Sequence, residues 1–335
     1  MCKKGIRRAI ALVIVLVVSL LAFAGCASPA EEKKEKFVIG YVHTGTETEW
    51  SVAKSTEIIA SFEGNENFEL LYADSQNVQE NQIKAFRNFI QQGVDAIVIR
   101  PTVTTGWDSV LIEAKEKEIP VVLVGRRMEM ADGDIEDYTM SYIGADNVAA
   151  GVMLVETMGT LCKDDAAPVN IVVLEGTVGA SAATERITGI DKGMAAQDRL
   201  KIYKAQSADW ARTKGKEVME AFLKTAAAEG VEIKGVIAHC DDMALGASQA
   251  IEEAGLAPGK DIYLIGVDGA RGAFEAMVEG KYNATVENPL GFGPAMLKMF
   301  SDYFLNGVTP EKWVVLKNDI YWQADAAEAL PNRKF

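Results

Sequence analysis

From residue 37 onward, short runs of apolar and β-branched residues alternate with stretches whose apolar positions recur every three or four residues. The runs FVIGYVH, FELLYAD, DAIVIR and VVLVG predict four strands, with helices near Trp50 to Phe62, Gln79 to Gln92 and Trp107 to Lys117 between them. In QENQIKAFRNFIQQG, Ile83, Phe86, Phe89 and Ile90 fall on one helical face, and Gly93 supplies the stop. A second series follows, VNIVVLE, LKIYKAQ, GVIAHC and IYLIGVDG, again separated by helical patterns. Strand–helix alternation predicts parallel sheet, and two successive series predict an α/β protein of two doubly wound lobes.

The first residues belong to neither series. Lys3, Lys4, Arg7 and Arg8 precede an apolar run from Ala9 to Ala24, which FAGC closes at Cys26. This is the pattern of an export signal over residues 1–25 ending in a lipobox-like site, with Cys26 as the lipid acceptor. The run falls short of the ~20 residues of a membrane span. ASPAEEKKEK is small and charged without apolar period, so residues 26–36 read as a flexible tether.

Charge narrows the partners. Removal of the leader, with four positive charges and no acids, takes the formal net charge from -14 to -18, and no local cluster of Lys and Arg offsets it. Nucleic-acid binding is therefore not expected. Of the cysteines behind the leader, Cys162 precedes the strand VNIVVLE whereas Cys240 ends GVIAHC. Opposite sheet edges lie roughly 17 Å apart, and a disulfide needs Cα atoms within about 7 Å, so two free thiols are expected.

Ligands of doubly wound sheets bind at the carboxyl ends of the strands. Those ends carry His43 with Glu47 and Trp50, then Asp74, Arg100, and Gly125 with Arg126 and Arg127. The second series contributes Glu175 with Arg186, Trp210, Cys240 with Asp241, Asp268, and Asn288 after YNATVE. The set combines guanidinium donors, carboxylate and amide acceptors and two indoles, which suits a sugar ring with one apolar face and a rim of hydroxyls. The buried-looking strand VVLVG ends in Arg126 because its end opens into the cleft, where that arginine is expected to meet the ligand. Read singly, Trp50 and Trp210 suit packing, the aspartates suit caps of helices or turns, and Arg127 suits solvent or a surface ion pair.

The segments QENQIKAFRNFIQQGVDAIVIRP, TGWDSVLIEAKEKEIPV, LEGTVGASAATERITGI, KGKEVMEAF and HCDDMALGASQAIEEAGLAPGKDI carry a resemblance over nearly all of residues 37–335. The chain resembles the ribose-binding-protein-like (type I) periplasmic binding proteins of ABC sugar importers, and most of all their galactofuranose-binding branch. The resemblance implies two Rossmann-like lobes joined by three chain crossings: residues 37–143 plus 289–318, and residues 144–288 plus 319–335. It implies a monosaccharide flanked by Trp50 and Trp210 and bonded by Glu47, Arg126, Arg186, Asp268 and Asn288; the strand ends add His43, Arg100, Cys240 and Asp241 as further expected ligand residues. It further implies a monomer that closes on the sugar, delivers it to permease subunits, and needs no cofactor. Two positions depart from the family pattern. Gly125 stands where an aspartate is usual and Cys240 where an asparagine is common, while Arg100 adds a cation. Gly125 either gives the chain its turn or makes room for a bulkier substituent, and an acidic sugar is the alternative ligand.

An enzyme is not expected. His43 and Cys240 belong to different lobes, no G-x-S-x-G elbow is present, and strand alternation turns His239 away from the face of Cys240. The same geometry argues against a metal held by His43, His239 and Cys240, and EMADGDIED lacks the order of a calcium loop. A repressor would need a helix-turn-helix where this chain has an export signal. A receptor handing its closed form to a chemotaxis or kinase partner stays open beside the importer. Exposure at the outer face of the cytoplasmic membrane or in the periplasm suits a lipoprotein of either kind.

Overall fold

A computed structural model describes residues 35–45, 48–333 and 335. Two six-stranded sheets organise it. The first contains β1 (Phe37–His43), β2 (Phe68–Asp74), β3 (Ala96–Ile99), β4 (Val121–Val124), β5 (Ser141–Ala145) and β11 (Trp313–Leu316), in the order β11-β5-β4-β3-β1-β2. The second contains β6 (Val169–Glu175), β7 (Leu200–Ser207), β8 (Ile233–Ala238), β9 (Tyr263–Asp268), β10 (Ala284–Glu287) and β12 (Ile320–Trp322), in the order β12-β10-β9-β8-β6-β7. All pairings are parallel except that of β10 with β12. The core orders 2-1-3-4-5 and 7-6-8-9-10 repeat one doubly wound plan, in which a ligand crevice forms where the winding reverses. The chain passes between the sheets three times, after β5, after β10 and after β11.

Each sheet is covered on both faces, which is why its central strands read as continuous apolar runs. Helices Glu49–Phe62 and Phe292–Phe300 bury Ile58, Phe62, Met296 and Phe300 on one face of the first sheet. Helices Gln79–Gln92 and Asp108–Glu116 bury Phe86, Phe89, Val110 and Leu111 on the other. Gly93 ends the helix Gln79–Gln92 in the left-handed conformation (φ 68°), as the sequence predicts. The second sheet is enclosed in the same way by the helices Asn147–Leu161 and Ser181–Met194 on one side and Arg212–Glu229 and Asp241–Glu253 on the other.

One boundary differs where it matters. The run GVIAHC was expected to be strand through Cys240, but β8 ends at Ala238 and Cys240 is the N-cap residue of the helix Asp241–Glu253. Cys162 caps the end of the helix Asn147–Leu161, and both thiols are buried and free.

Candidate functional site

The carboxyl ends of the two sheets face one narrow cavity. The first lobe lines it with Thr48, Trp50, Arg100 and Gly125, the second with Ala182, Arg186, Trp210, Cys240 and Asp268, and the crossing after β10 adds Asn288. A larger open groove of about 920 Å³ runs outside, past Glu49, Val52, Arg212, Arg271 and Phe335. Its arginines are taken by neighbouring carboxylates, Arg212 by Glu49 and Asp242 and Arg271 by Glu275. The smaller, buried cavity is therefore the better candidate, because polar groups converge on it from both lobes.

Thr48 starts the helix Glu49–Phe62 by accepting the Ser51 amide proton at 3.1 Å, which places Trp50 in its first turn. The Trp50 indole is buried, donates to the Asn288 carbonyl at 2.6 Å, and meets Phe292 edge-on at 5.8 Å. Arg100 follows β3; its guanidinium donates to Thr44 Oγ1 at 2.6 Å and lies 5.6 Å from the Trp50 ring. Gly125 has φ 67°, a left-handed turn that glycine enters without steric cost. A Cβ there would rest in ordinary contact with Phe292 and Trp50 at 3.7 Å and Arg100 at 3.8 Å, so the position supplies the turn without leaving open space.

In the second lobe, Trp210 (φ 63°) follows Asp209 (φ 49°) in the turn after β7. Two consecutive non-glycine residues in this region are strained, and they swing the indole over Gly176, whose Cβ would lie 2.0 Å from the ring. Arg186 is buried, donates to the His239 carbonyl and stands 5.6 Å from the same indole. Burial lowers its affinity for the proton, and the Asp268 charge works against that shift. Asp268 has φ 127°; its Oδ1 accepts from Asn288 Nδ2 at 3.3 Å, and burial holds its carboxyl well above the ordinary range, with Arg186 opposing. Burial likewise pushes the Cys240 thiol far up, which leaves it a neutral wall group and a poor nucleophile.

Contacts at the rim join the lobes. Arg127 donates its backbone amide to Ser181 Oγ at 2.7 Å and pairs with Glu185 at 3.4 Å, its guanidinium lying over Tyr142 and Trp313. On another edge Asp242 accepts the Glu49 amide proton at 3.2 Å, and Thr104 donates to the Gly179 carbonyl at 2.9 Å. The structure is thus closed around its cavity.

The profile of a periplasmic binding protein domain matches residues 39–307. The chain belongs to the periplasmic binding protein family. The galactofuranose-binding protein YtfQ of Escherichia coli (strain K12) is 42% identical over 297 residues, spanning 88% of this chain and 91% of that protein. A crystal structure of a galactofuranose binding protein is 41% identical with a TM-score of 0.83, covering 89% of this chain and 98% of that one. The periplasmic binding component of an arabinose ABC transporter from Shewanella sp. ANA-3, bound to α- and β-L-arabinofuranose, is 40% identical with a TM-score of 0.81, covering 89% and 95%. The resemblance read from the sequence, to type I sugar-binding proteins and their galactofuranose branch, agrees with these relatives.

Within this periplasmic binding protein, three residues expected at the ligand, His43, Arg126 and Asp241, are not among those lining the cavity. His43 is fully buried and its ring is consumed by the first lobe: Nδ1 accepts the Gly45 amide proton at 3.1 Å and Nε2 lies 2.8 Å from Ser55 Oγ. Burial, with the charges of Lys54, Arg100 and Arg126, lowers its pKa to about 2, so it is a neutral structural group. Arg126 is buried, donates to the carbonyls of Pro101 and Thr102 and lies 5.5 Å from the Trp210 ring. Asp241 is also fully buried, and its oxygens accept from Ala270, Tyr282 and Thr285. Of the others, Trp50, Arg100, Arg186, Trp210, Cys240, Asp268 and Asn288 come together at the cavity, while Glu47 and Cys26 lie outside the described residues. Thr48 and Ala182 were missed; Thr48 is readable as the cap of its helix, whereas nothing in the sequence marks Ala182. Among the described residues no cluster of metal-binding side chains occurs, and no helix is long and apolar enough to cross a membrane.

Proposed function

We propose that this periplasmic binding protein is the substrate-binding component of an ABC sugar importer, and that it closes on one monosaccharide in the cavity between Trp50 and Trp210. The observation that carries this reading is the convergence of two indoles from opposite lobes with Arg186, Asp268 and Asn288 on one buried space. Charge-assisted hydrogen bonds contribute roughly 1.5–3 kcal/mol each, so several with ring stacking reach micromolar affinity, about -8 kcal/mol. The relatives named for galactofuranose and bound to arabinofuranose favour a furanose. Because part of the ligand surface comes from each lobe, binding favours the closed form, which a permease can then distinguish from the open one. The protein works as a monomer, without cofactor or catalysis, tethered to the membrane through lipid on Cys26.

A second reading, an acidic sugar, is favoured by Arg100 lining the cavity beside Gly125, which offers no side-chain acceptor. Isothermal titration separates the two. Protein lacking residues 1–26, stripped of carried ligand by unfolding and refolding, is titrated with galactofuranose, arabinose, ribose, galactose, uronic acids and sugar phosphates. One-to-one micromolar binding of a neutral sugar is expected. Binding confined to anionic sugars, weakened by Arg100→Ala, would replace it with the second reading, and no binding of any sugar would overturn both.

A further inference from the structure

Asp268 reaches the cavity from a backbone that few residues adopt. It ends β9 at φ 127°, Gly269 follows at φ 73°, and Ala270 leads into the helix Arg271–Val278. A non-glycine residue stays in such a region only where its surroundings over-determine it. Those surroundings are a buried polar cluster with no atom lining the cavity. Asp241 Oδ2 accepts the Ala270 amide proton at 2.9 Å. Thr285 Oγ1 accepts the Gly269 amide proton at 3.2 Å and itself donates to Asp241, 2.9 Å from Oδ1 and 3.0 Å from Oδ2. Tyr282 donates its hydroxyl proton to Asp241 Oδ1 at 2.8 Å. The two amides that follow Asp268 are therefore both tied to Asp241, one directly and one through Thr285.

We infer that Asp241 is a positioning residue for ligand recognition: with Thr285 and Tyr282 it clamps the strained turn that aims Asp268 into the cavity. The inference rests on the reading of that cavity as the sugar site. The clamp extends to other groups there. Asn288 donates its amide to the Asp268 carbonyl and its side chain to Asp268 Oδ1, both at 3.3 Å, and the Asn288 carbonyl accepts from the Trp50 indole at 2.6 Å. A shift of the turn thus moves an acceptor of the second lobe, the Asn288 amide and the Trp50 partner together.

Two further observations separate this role from helix capping or general packing. Asp241 opens the helix Asp241–Glu253, yet its carboxylate bonds go to residues 270, 282 and 285, all outside that helix. Strand β9 also carries Gly266 opposite the cluster, where a Cβ would lie 2.6 Å from Asp241 Oδ1 and 2.2 Å from the Tyr282 oxygen. Burial raises the Asp241 carboxyl to about 7, so the ionised group weighs against the stability of the lobe near neutral pH.

The test uses Asp241→Asn, Thr285→Val and Thr285→Ser in the protein lacking residues 1–26, with L-arabinose as probe, and Phe222→Leu as a control that loosens the same lobe's core elsewhere. Removal of an acceptor or of the relay hydroxyl is expected to weaken arabinose binding about tenfold, the effect of one charge-assisted hydrogen bond. Hydrogen exchange at the Gly269 and Ala270 amides should speed up by a similar factor while strand β6 is unchanged, and Thr285→Ser should restore both. Unchanged affinity and exchange in Thr285→Val would overturn the inference. So would an equal loss of affinity in Phe222→Leu at equal loss of stability. If the unmodified protein binds no sugar, the proposed function fails, and exchange at Gly269 and Ala270 alone decides the clamp: faster in Thr285→Val and restored in Thr285→Ser supports it, unchanged overturns it.

Discussion

The first lobe meets the cavity with Trp50, Arg100 and Gly125, and the second with Arg186, Trp210, Cys240 and Asp268. On the first wall the left-handed residue is Gly125, which takes that conformation freely; on the second the positive φ values belong to Trp210 and Asp268, which do not. The walls also differ in what is buried behind them. Lys54, Arg126 and a neutral His43 back the first, whereas Asp241 and His239 back the second. The comparison teaches that, among the described residues, strain and buried carboxylates are concentrated on the second wall, where hydroxyl acceptors must be aimed, while the first presents an indole and a guanidinium.

The largest expected effect is that of Arg186→Ala, which removes the guanidinium lining the strained wall. Binding of the sugar should weaken about a hundredfold, close to 3 kcal/mol, read by isothermal titration; a change below about threefold would show that the second wall does not dominate recognition.

Acid should then separate the lobes. His43 has its folded pKa lowered to about 2 against an ordinary 6.5, so its contribution is present above pH 6.5 and is lost as the pH falls toward about 2. The loss amounts to about 1.4 kcal/mol per pH unit. His239, lowered to about 3, acts in the same direction in the second lobe. There Asp241, raised to about 7, works oppositely: the folded state holds its proton while the unfolded chain has lost it, so stability rises as the pH falls from about 7 toward the ordinary carboxyl value. Asp268, also raised, adds to the same side. Between about pH 6.5 and about pH 4.5 the first lobe should lose stability while the second stays level or gains. Residue-resolved hydrogen exchange, corrected for intrinsic rates, measures this, and His43→Asn should flatten the first lobe's response.

A smaller, paired effect sharpens the contrast in strain. Asp268→Gly should gain about 1 kcal/mol of stability by relieving φ 127°, while its sugar affinity falls. Gly125→Ala should lose about 1 kcal/mol, because φ 67° is costly for alanine, with little change in affinity since the added Cβ makes only ordinary contacts at 3.7 Å or more. Denaturant titration beside calorimetry reads both, and equal behaviour of the two variants would erase the distinction between the walls.

Much of this arrangement was legible beforehand. The apolar runs of β1, β2 and β6 and the helix Gln79–Gln92 have the bounds the pattern predicts, since strong periodicity and a left-handed stop at Gly93 leave little freedom. Strands β5, β11 and β12 were not read. SYIGA is interrupted by small residues, and WVVL and IYW are short edge strands whose places are set by chain crossings. At the cavity, strand ends indicate which residues stand near the cleft, and Trp50, Arg186, Trp210 and Asp268 are found there. They do not say what consumes a side chain. His43 is taken by Ser55, twelve residues on, and Asp241 by Tyr282 and Thr285, more than forty residues on, partners that only the folded chain brings together.

The most direct test of the account is a crystal structure of the protein with its bound sugar. The account predicts a single ring between Trp50 and Trp210, its hydroxyls bonded to Arg186, Asp268 and Asn288. A sugar held by one lobe alone, or seated in the outer groove beside Arg212 and Arg271, would contradict it.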